Sequence, residues 1–454
     1  MVLPATEPAQ AEAMCFFRDI SIKHLNEYRP CEAWRNTLMF FSQTVPAVRH
    51  AAIALALMHR HYLDCQNDSR VYQPPALKDK LSDKTPLLHY NRAIQLLLNT
   101  GSGDTETTAV TLLVCYLFTC FDHLAGDDVQ AMKHLRGGVA LTREVDNPTL
   151  NEYTHDPQSS GVCAVIRQVT EQIRRLDMQA VMFLVDWTPA DIEQKFTSIA
   201  LPDSINSNFQ SLGQAADYLQ TLIAQVMRLR NTEQRMSPTG TMPALPSPLK
   251  DLVLTQLETW ERLFETLLRG NSDSDRETQT DPLVPLLRLQ HTTACILLRG
   301  YGGPGREMGY DKFLPQFRQC VVLADEVSAA RQRYSSSMST FTPEIGFIPV
   351  LYIIGAKCRH PTVRREVLRI LRARLIREAA WDSFSTARVV ERVIDVEEGG
   401  QVGQCMGMDQ IPVWCRIETL SFIHIPGRGS PARLDIVYTF CGLEGIHTES
   451  VMIE

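Results

Sequence analysis

Four residue groups in this chain could carry chemistry: a glycine triplet, the histidines, the cysteines and one run of arginines. Gly300, Gly302 and Gly305 satisfy GxGxxG, and Asp325 follows about twenty residues on, where a dinucleotide site places the acid that holds a ribose hydroxyl. The surroundings argue against that use. Leu286 to Leu298 has helical period where a strand is required, Pro304 occupies the loop, and no succession of alternating strands exists to build a parallel sheet. Gly300 to Gly309 is therefore expected to be an ordinary loop.

Histidine ligands or bases are next. His59 with His61, and His123 with His134, are the nearest pairs by sequence, but two residues apart on a helix point away from each other, and helical ligand pairs want i,i+4 spacing. Structural or surface histidines are expected. Twelve cysteines lie at 15, 31, 65, 115, 120, 163, 295, 320, 358, 405, 415 and 441, with no CxxC. Cys115 and Cys120, five apart in an apolar helix, read as small core residues, and such scattered thiols fit a reducing compartment. HExxH, GxxxxGK[ST] and GxSxG are all absent, which removes the usual grounds for assigning hydrolysis or nucleotide chemistry. No catalytic, cofactor-binding, metal-binding or DNA-binding set is assigned, no ligand-binding residue is named, and the chain is not expected to be an enzyme.

Arginines crowd Arg359 to Arg377. Arg364, Arg365, Arg369, Arg372, Arg374 and Arg377 are interleaved with Val363, Val367, Leu368, Leu371 and Leu375. A helical wheel puts Arg365, Arg369 and Arg372 on one face and the aliphatics on the other, which predicts a solvated basic face, with a protein or nucleic-acid contact as its functional counterpart. No aromatic residues are interleaved to stack on bases.

The elements that would position such residues are mostly helical. In Pro248 to Arg269, Leu249, Val253, Leu257, Trp260, Phe264 and Leu267 recur every three or four residues, Ser247 is placed to cap, and Gly270 to terminate. Similar periods cover residues 11–28, 32–42, 46–64, 86–99, 105–124, 127–144, 163–187, 209–230, 283–299, 312–334, 361–379 and 386–397. Gly137-Gly138 interrupts one of them at roughly 1 kcal/mol per glycine, which predicts close crossing by a neighbouring helix. Polar or Pro- and Gly-bearing breaks fall at residues 66–84, 146–161, 231–246, 271–282, 300–309 and 398–409. The third and fourth have the most flexible composition, and Ser272 and Ser274 offer phosphorylation sites in the fourth. Val413 to Ile425 and Arg433 to Cys441, rich in β-branched and aromatic residues around Pro426 to Pro431, predict a hairpin. The expected fold is all-α: a large irregular multi-helix bundle over residues 1–398 with flexible loops near 231–246 and 271–282, and a terminal β-hairpin in 399–454 packed on it. No fixed-period repeat supports a solenoid.

Composition narrows the function classes. The 454 residues carry 45 Lys and Arg against 52 Asp and Glu, a formal charge of −7, which argues against bare duplex DNA as a direct partner. The hydrophobic fraction of 44% and charged fraction of 21% are those of a globular chain with a core. The N-terminus lacks a signal-peptide pattern, and the longest apolar run, Ala109 to Phe121, falls short of the ~20 residues of a span, so a soluble intracellular protein is expected.

Trp34 is followed by Val45 to Ala51 (VPAVRHA) and Ala54 to Tyr62 (ALALMHRHY), then by His89 to Ile94 (HYNRAI) and Phe121 to Asp127 (FDHLAGD), with Ala131, His134, Leu135 and Gly138 behind. Arg175 to Gln179 (RLDMQ), Cys358 to Pro361 (CRHP) running on to Arg374, Glu378 to Asp382 (EAAWD) and Val390 to Ile394 (VERVI) come later. In this order and spacing the chain resembles, nearly end to end, the regulatory domain of fungal binuclear zinc-cluster (Zn2Cys6) transcription factors. The resemblance implies a nuclear regulator of transcription, controlling metabolic or secondary-metabolite genes. Its partners would be other transcription regulators or itself as a dimer, with a small-molecule effector, and no membrane. Such factors carry six cysteines within roughly thirty residues holding two zinc ions. Cys15 and Cys31 are too isolated to supply them, so no zinc or other cofactor and no direct DNA binding are expected of these residues, and zinc would belong only to a missing N-terminal module. Either the chain begins downstream of such a module, or it acts as a DNA-independent helical adaptor on related regulators; an unrecognised enzyme is the third class.

Overall fold

The computed structural model describes residues 7–68, 84–99, 105–145, 157–184, 186–190, 208–236, 248–270, 281–300, 306–334, 339–399, 407–425, 433–443 and 445–452. Helices dominate. α1 (Pro8–Phe16) runs through a wide π-helical turn, Phe17–Ser21, into the short α2 (Ile22–Leu25), and α3 (Glu32–Thr44) and α4 (Pro46–Asp68) follow. Next come α5 (Thr85–Asn99), α6 (Thr105–Ala125), α7 (Asp128–Val145) and α8 (Pro157–Gln179). α9 (Leu212–Met236), α10 (Pro248–Gly270), α11 (Leu283–Gly300) and α12 (Leu314–Tyr334) build the middle. The last part is mixed: β1 (Ser339–Thr342), α13 (Ile348–Lys357), α14 (Pro361–Ala373), β2 (Leu375–Glu378), β3 (Trp381–Asp382) and α15 (Ser383–Glu397). β4 (Ile417–Ile425), β5 (Arg433–Phe440) and β6 (His447–Met452) close it.

α6 is apolar on every side because it is packed on every side. By length and composition it could cross a membrane, but 83% of its most apolar window is buried within the protein. Around it lie α4, α7 and α8. The α7 crossing explains one glycine of the pair: a Cβ on Gly138 would sit 3.1 Å from Ile173 Cδ1, whereas one on Gly137 would meet nothing within 4 Å. Gly137→Ala should therefore stabilise the protein by about 0.5–1 kcal/mol, read as a rise in denaturation midpoint. A loss would mean that Gly137 has a role beyond helix geometry.

The corner between α6 and α7 shows what Phe121 to Asp127 does. Gly126 takes a left-handed φ of 74° to end α6. Asp127 Oδ1 then accepts from the Gln130 N–H at 3.1 Å, and His123 Nδ1 lies 2.9 Å from Asp128 Oδ1. Buried Asp122 accepts the Tyr90 hydroxyl at 3.1 Å, and that hydroxyl is also 2.6 Å from His134 Nε2.

Four expectations need correction. The helix read over 361–379 stops at Ala373, because residues 375–378 form β2, parallel to β1 and antiparallel to β3. Every residue of β2 is buried, so it lacks alternation, and Ser383 Oγ fixes its start by accepting from the Ile376 N–H at 3.0 Å and donating to the Arg374 carbonyl at 2.8 Å. α13 was not anticipated: its residues, IPVLYIIGAK, are buried all round and carry no amphipathic period. The terminal hairpin is a three-stranded antiparallel sheet, β4-β5-β6, since His447–Met452 pairs along β5. Leu434, Ile436 and Tyr438 of β5 pack with Val389 and Val393 of α15. α9 also extends to Met236, into the expected 231–246 loop. Residues 237–247, the 271–280 break with Ser272 and Ser274, Ser247, Gly302, Gly305 and the 426–432 turn lie outside the described residues.

Candidate functional site

Tyr28, just beyond α2, sits where the first and last parts of the chain meet. Its hydroxyl donates to Glu378 at the end of β2 and accepts from Arg331 of α12, whose guanidinium lies 4.7 Å over the Tyr28 ring. Arg331 also reaches Glu27 and donates to Thr340 Oγ1 at 3.0 Å. Glu378 further accepts the N–H groups of Gly346, Phe347 and Ile348 at 2.9, 3.3 and 3.2 Å, so it supplies the anion for the N-terminus of α13. Burial pushes the Glu378 carboxyl up and Arg331 opposes it. The loop before α13 fits this cluster closely: a Cβ on Gly346 would overlap the Tyr28 ring.

Directly behind that loop lies a narrow cleft between α8, α9, α11 and α13. Its cavity volume is about 40 Å3, and it is lined by Met178, Met182, Ile223, Met227, Leu297, Ile353 and other apolar residues. Among the described residues no Asp, Glu, Lys, Arg or His lines it. Its polar groups are Gln179, Gln220, Gln290 and Thr293, with Gly346 at its wall. Gln179 Oε1 accepts from the Ile345 N–H at 3.0 Å, and Gln290 Nε2 donates to the Gly346 carbonyl at 3.0 Å.

A second cluster docks the terminal sheet. Glu397, fully buried at the end of α15, receives Arg359 Nη2 at 2.9 Å, Arg364, and the Ile417 N–H at 2.7 Å. Arg359 also donates to the Ile417 carbonyl at 3.0 Å and meets Glu307 at 2.7 Å. Arg416 pairs with Asp311 through both Nη atoms at 2.8 and 2.9 Å. Burial raises the Glu397 carboxyl, but Arg359 and Arg364 outweigh it and bring its pKa to about 2. Lys357 donates to Glu307 at 2.7 Å and to the Glu418 carbonyl at 2.9 Å, yet burial outweighs Glu307 and lowers its pKa from 10.5 to about 8. Between those two values the unfolded chain holds more protons at this site than the folded one, so its contribution to stability rises with pH across that window. The melting temperature of the native chain relative to Lys357→Met is expected to climb from pH 8 to pH 10; parallel profiles would refute the assignment.

The residues singled out by sequence are dispersed. His59 is buried, with Nδ1 3.1 Å from Ser21 Oγ and Nε2 3.3 Å from His24 Nδ1, while His61 lies half-buried elsewhere on α4. Burial holds His24 near 4 and His59 well below its ordinary value, so this pair is neutral. His123 and His134 turn to different partners at the α6–α7 corner. His50 and His89, 39 residues apart, approach to 2.8 Å between Nδ1 atoms, a pairing that spacing could not show. Among the described residues no three His, Cys, Asp or Glu side chains converge as metal ligands. Burial raises the Cys115 thiol to about 11 and Cys120 further, as for inert core thiols. Gly300 sits against the Tyr310 ring, and Asp325 pairs with Arg369 at 2.7 Å.

The arginine run divides between the solvated face read from the wheel and a buried set. Arg365, Arg369 and Arg372 are on the surface and pair with Glu398, Asp325 and Glu391. Arg359, Arg364, Arg374 and Arg377 are buried. Arg377 Nε and Nη2 have no hydrogen-bond partner among the described residues. A mixed-charge groove between α12 and α14 spends its charges internally, on the Arg369 pairs with Asp325 and Glu366 and the Arg318 contact with His360.

The described residues thus form a helical body held by buried ion clusters beside a neutral cleft. The model of the fungal specific transcription factor domain matches residues 14–393, and the chain belongs to that family. It is 22% identical over 450 residues to the aspercryptin biosynthesis cluster-specific transcription regulator atnN of Emericella nidulans, covering 80% of this chain and 69% of that protein. No solved structure matches it. The matched span contains both Tyr28 and Glu378, and the quoted motifs Phe121 to Asp127, Arg175 to Gln179 and Glu378 to Asp382 each tie one element to another.

Proposed function

We propose that this fungal transcriptional regulator is the regulatory body of a nuclear Zn2Cys6-type factor that controls a set of secondary-metabolite genes. The observation that carries the reading is the family match over 14–393, supported by the similarity to a regulator named for a biosynthetic cluster. The body would bind other regulators or a second copy of itself, and would set the activity of a DNA-reading module. Deleting the gene and profiling transcripts is expected to change a contiguous group of biosynthetic genes; an unchanged transcriptome under producing conditions would overturn it. The net charge of −7 favours a second reading, an adaptor acting through partners without contacting DNA. Mapping the 5′ end of the messenger RNA separates the two: an in-frame upstream stretch encoding six closely spaced cysteines supports the first reading, and a start at Met1 supports the adaptor.

A further inference from the structure

α12 buries one side against α11 and α14 and leaves the other in solvent. Val322, 59% exposed, is the midpoint of that outer stripe. Pro315 and Ala329, small and also exposed, lie seven residues before and after it, and exposed Arg318 and Glu326 lie four residues before and after it. Seven residues are close to two helical turns and four are just over one, so all five share one stripe about 21 Å long. Its charge is graded: Arg318 stands towards the N-terminal end, Asp325 and Glu326 towards the C-terminal end. The groove beside the stripe, about 540 Å3 between α12 and α14, repeats the gradient. Arg318 and His360 line one end, and at the other Asp325, Glu326 and Glu366 outnumber Arg369. Arg369 takes up Asp325 and Glu366, which leaves Glu326 without an ion pair or hydrogen bond among the described residues.

We infer that this face pairs with the same face of a second copy, the two α12 helices lying antiparallel across a two-fold axis at Val322. The spacing selects that occupant. An axis there sets Val322 on Val322, Pro315 on Ala329, and Arg318 level with both Asp325 and Glu326 of the second copy. A stripe whose positive and negative ends lie equally far from one exposed apolar residue is complementary to itself. The grooves face one another in the same arrangement, so Arg318 of each copy meets the acidic end of the other's groove. A parallel pairing would set like charges together. The stripe is short and apolar only along its middle line, so the pairing is weak and sensitive to salt. This names a surface for the self-pairing raised above, and because it is tested on the purified chain, its failure would leave the control of biosynthetic genes untouched.

Sedimentation equilibrium of the purified full chain should show monomer and dimer in exchange, with a Kd on the order of 10 µM at low salt. Raising the ionic strength to about 0.5 M should weaken the dimer severalfold. Val322→Glu puts two carboxylates face to face on the axis and should weaken it roughly tenfold or more. Arg318→Glu should do the same by setting like charges together, and Glu326→Arg should weaken it less, because Asp325 remains. Mixed in equal amounts, the Arg318→Glu and Glu326→Arg chains should pair with each other more tightly than either pairs with itself. All three side chains are exposed, so circular dichroism of the variants should match that of the native chain. A native chain that stays monomeric to about 200 µM at low salt, a dimer indifferent to Val322→Glu, or a mixture no tighter than its components would overturn the proposal. Sedimentation of the native chain decides the first of these without any variant.

Discussion

Replacing Glu397 with alanine should destabilise the protein by about 3–5 kcal/mol, the cost of leaving buried Arg359 and Arg364 without their shared carboxylate. The backbone N–H of Ile417 loses its acceptor in the same step, so the terminal sheet should loosen first. Hydrogen exchange over β4 and β5 should accelerate before the α4–α6–α8 core responds. The pH profile supplies a separate check. Because the folded pKa of Glu397 is lowered to about 2 from 4.5, its contribution is complete above 4.5 and is lost as pH falls towards 2. Glu397→Gln, already neutral, should lack that part of the acid transition. If both variants melt as the native chain does, the sheet is docked by its apolar contacts with α15 alone.

Gly346→Ala is the second large effect expected, a loss of about 3 kcal/mol for one methyl group, because the added Cβ would overlap the Tyr28 ring where no space can open cheaply. The ring cannot withdraw alone, since its hydroxyl joins Arg331 to Glu378 and its backbone N–H donates to Glu344 at 3.1 Å. Tyr28→Ala should itself destabilise, but it empties the space the methyl needs. The double variant should therefore be more stable than the sum of the single losses predicts, with a coupling of about 1–3 kcal/mol. Strict additivity in urea denaturation would show that the loop before α13 does not lean on Tyr28.

The amphipathic helices were legible because their apolar residues repeat with the period of the structure they form. Pro248–Gly270 needed only Leu249, Val253, Leu257, Trp260, Phe264 and Leu267 to be recognised. The order of motifs from Trp34 to Ile394 likewise carried the family. What carried no local period was not legible: α13, buried on all sides, and β2, a four-residue strand whose partner lies beyond two helices. The arginine run shows the same limit. Wheel geometry placed Arg365, Arg369 and Arg372 correctly on the surface, but it could not know that the facing surface near Arg359 and Arg364 holds Glu397 and Glu307 rather than apolar side chains.

The sequence by itself determined the all-helical body, the terminal β-structure and the kinship with transcription regulators, because propensity, hydrophobic period and motif order are properties of neighbouring residues. Only the tertiary structure decided which polar residues meet. Tyr28 reaches Glu378 across 350 positions, His50 meets His89 across 39, and Gln179 and Gln290 border one cleft from different helices. Such contacts are fixed by how helices cross, and helix crossing is set by the packing of whole faces, which no short window of sequence contains.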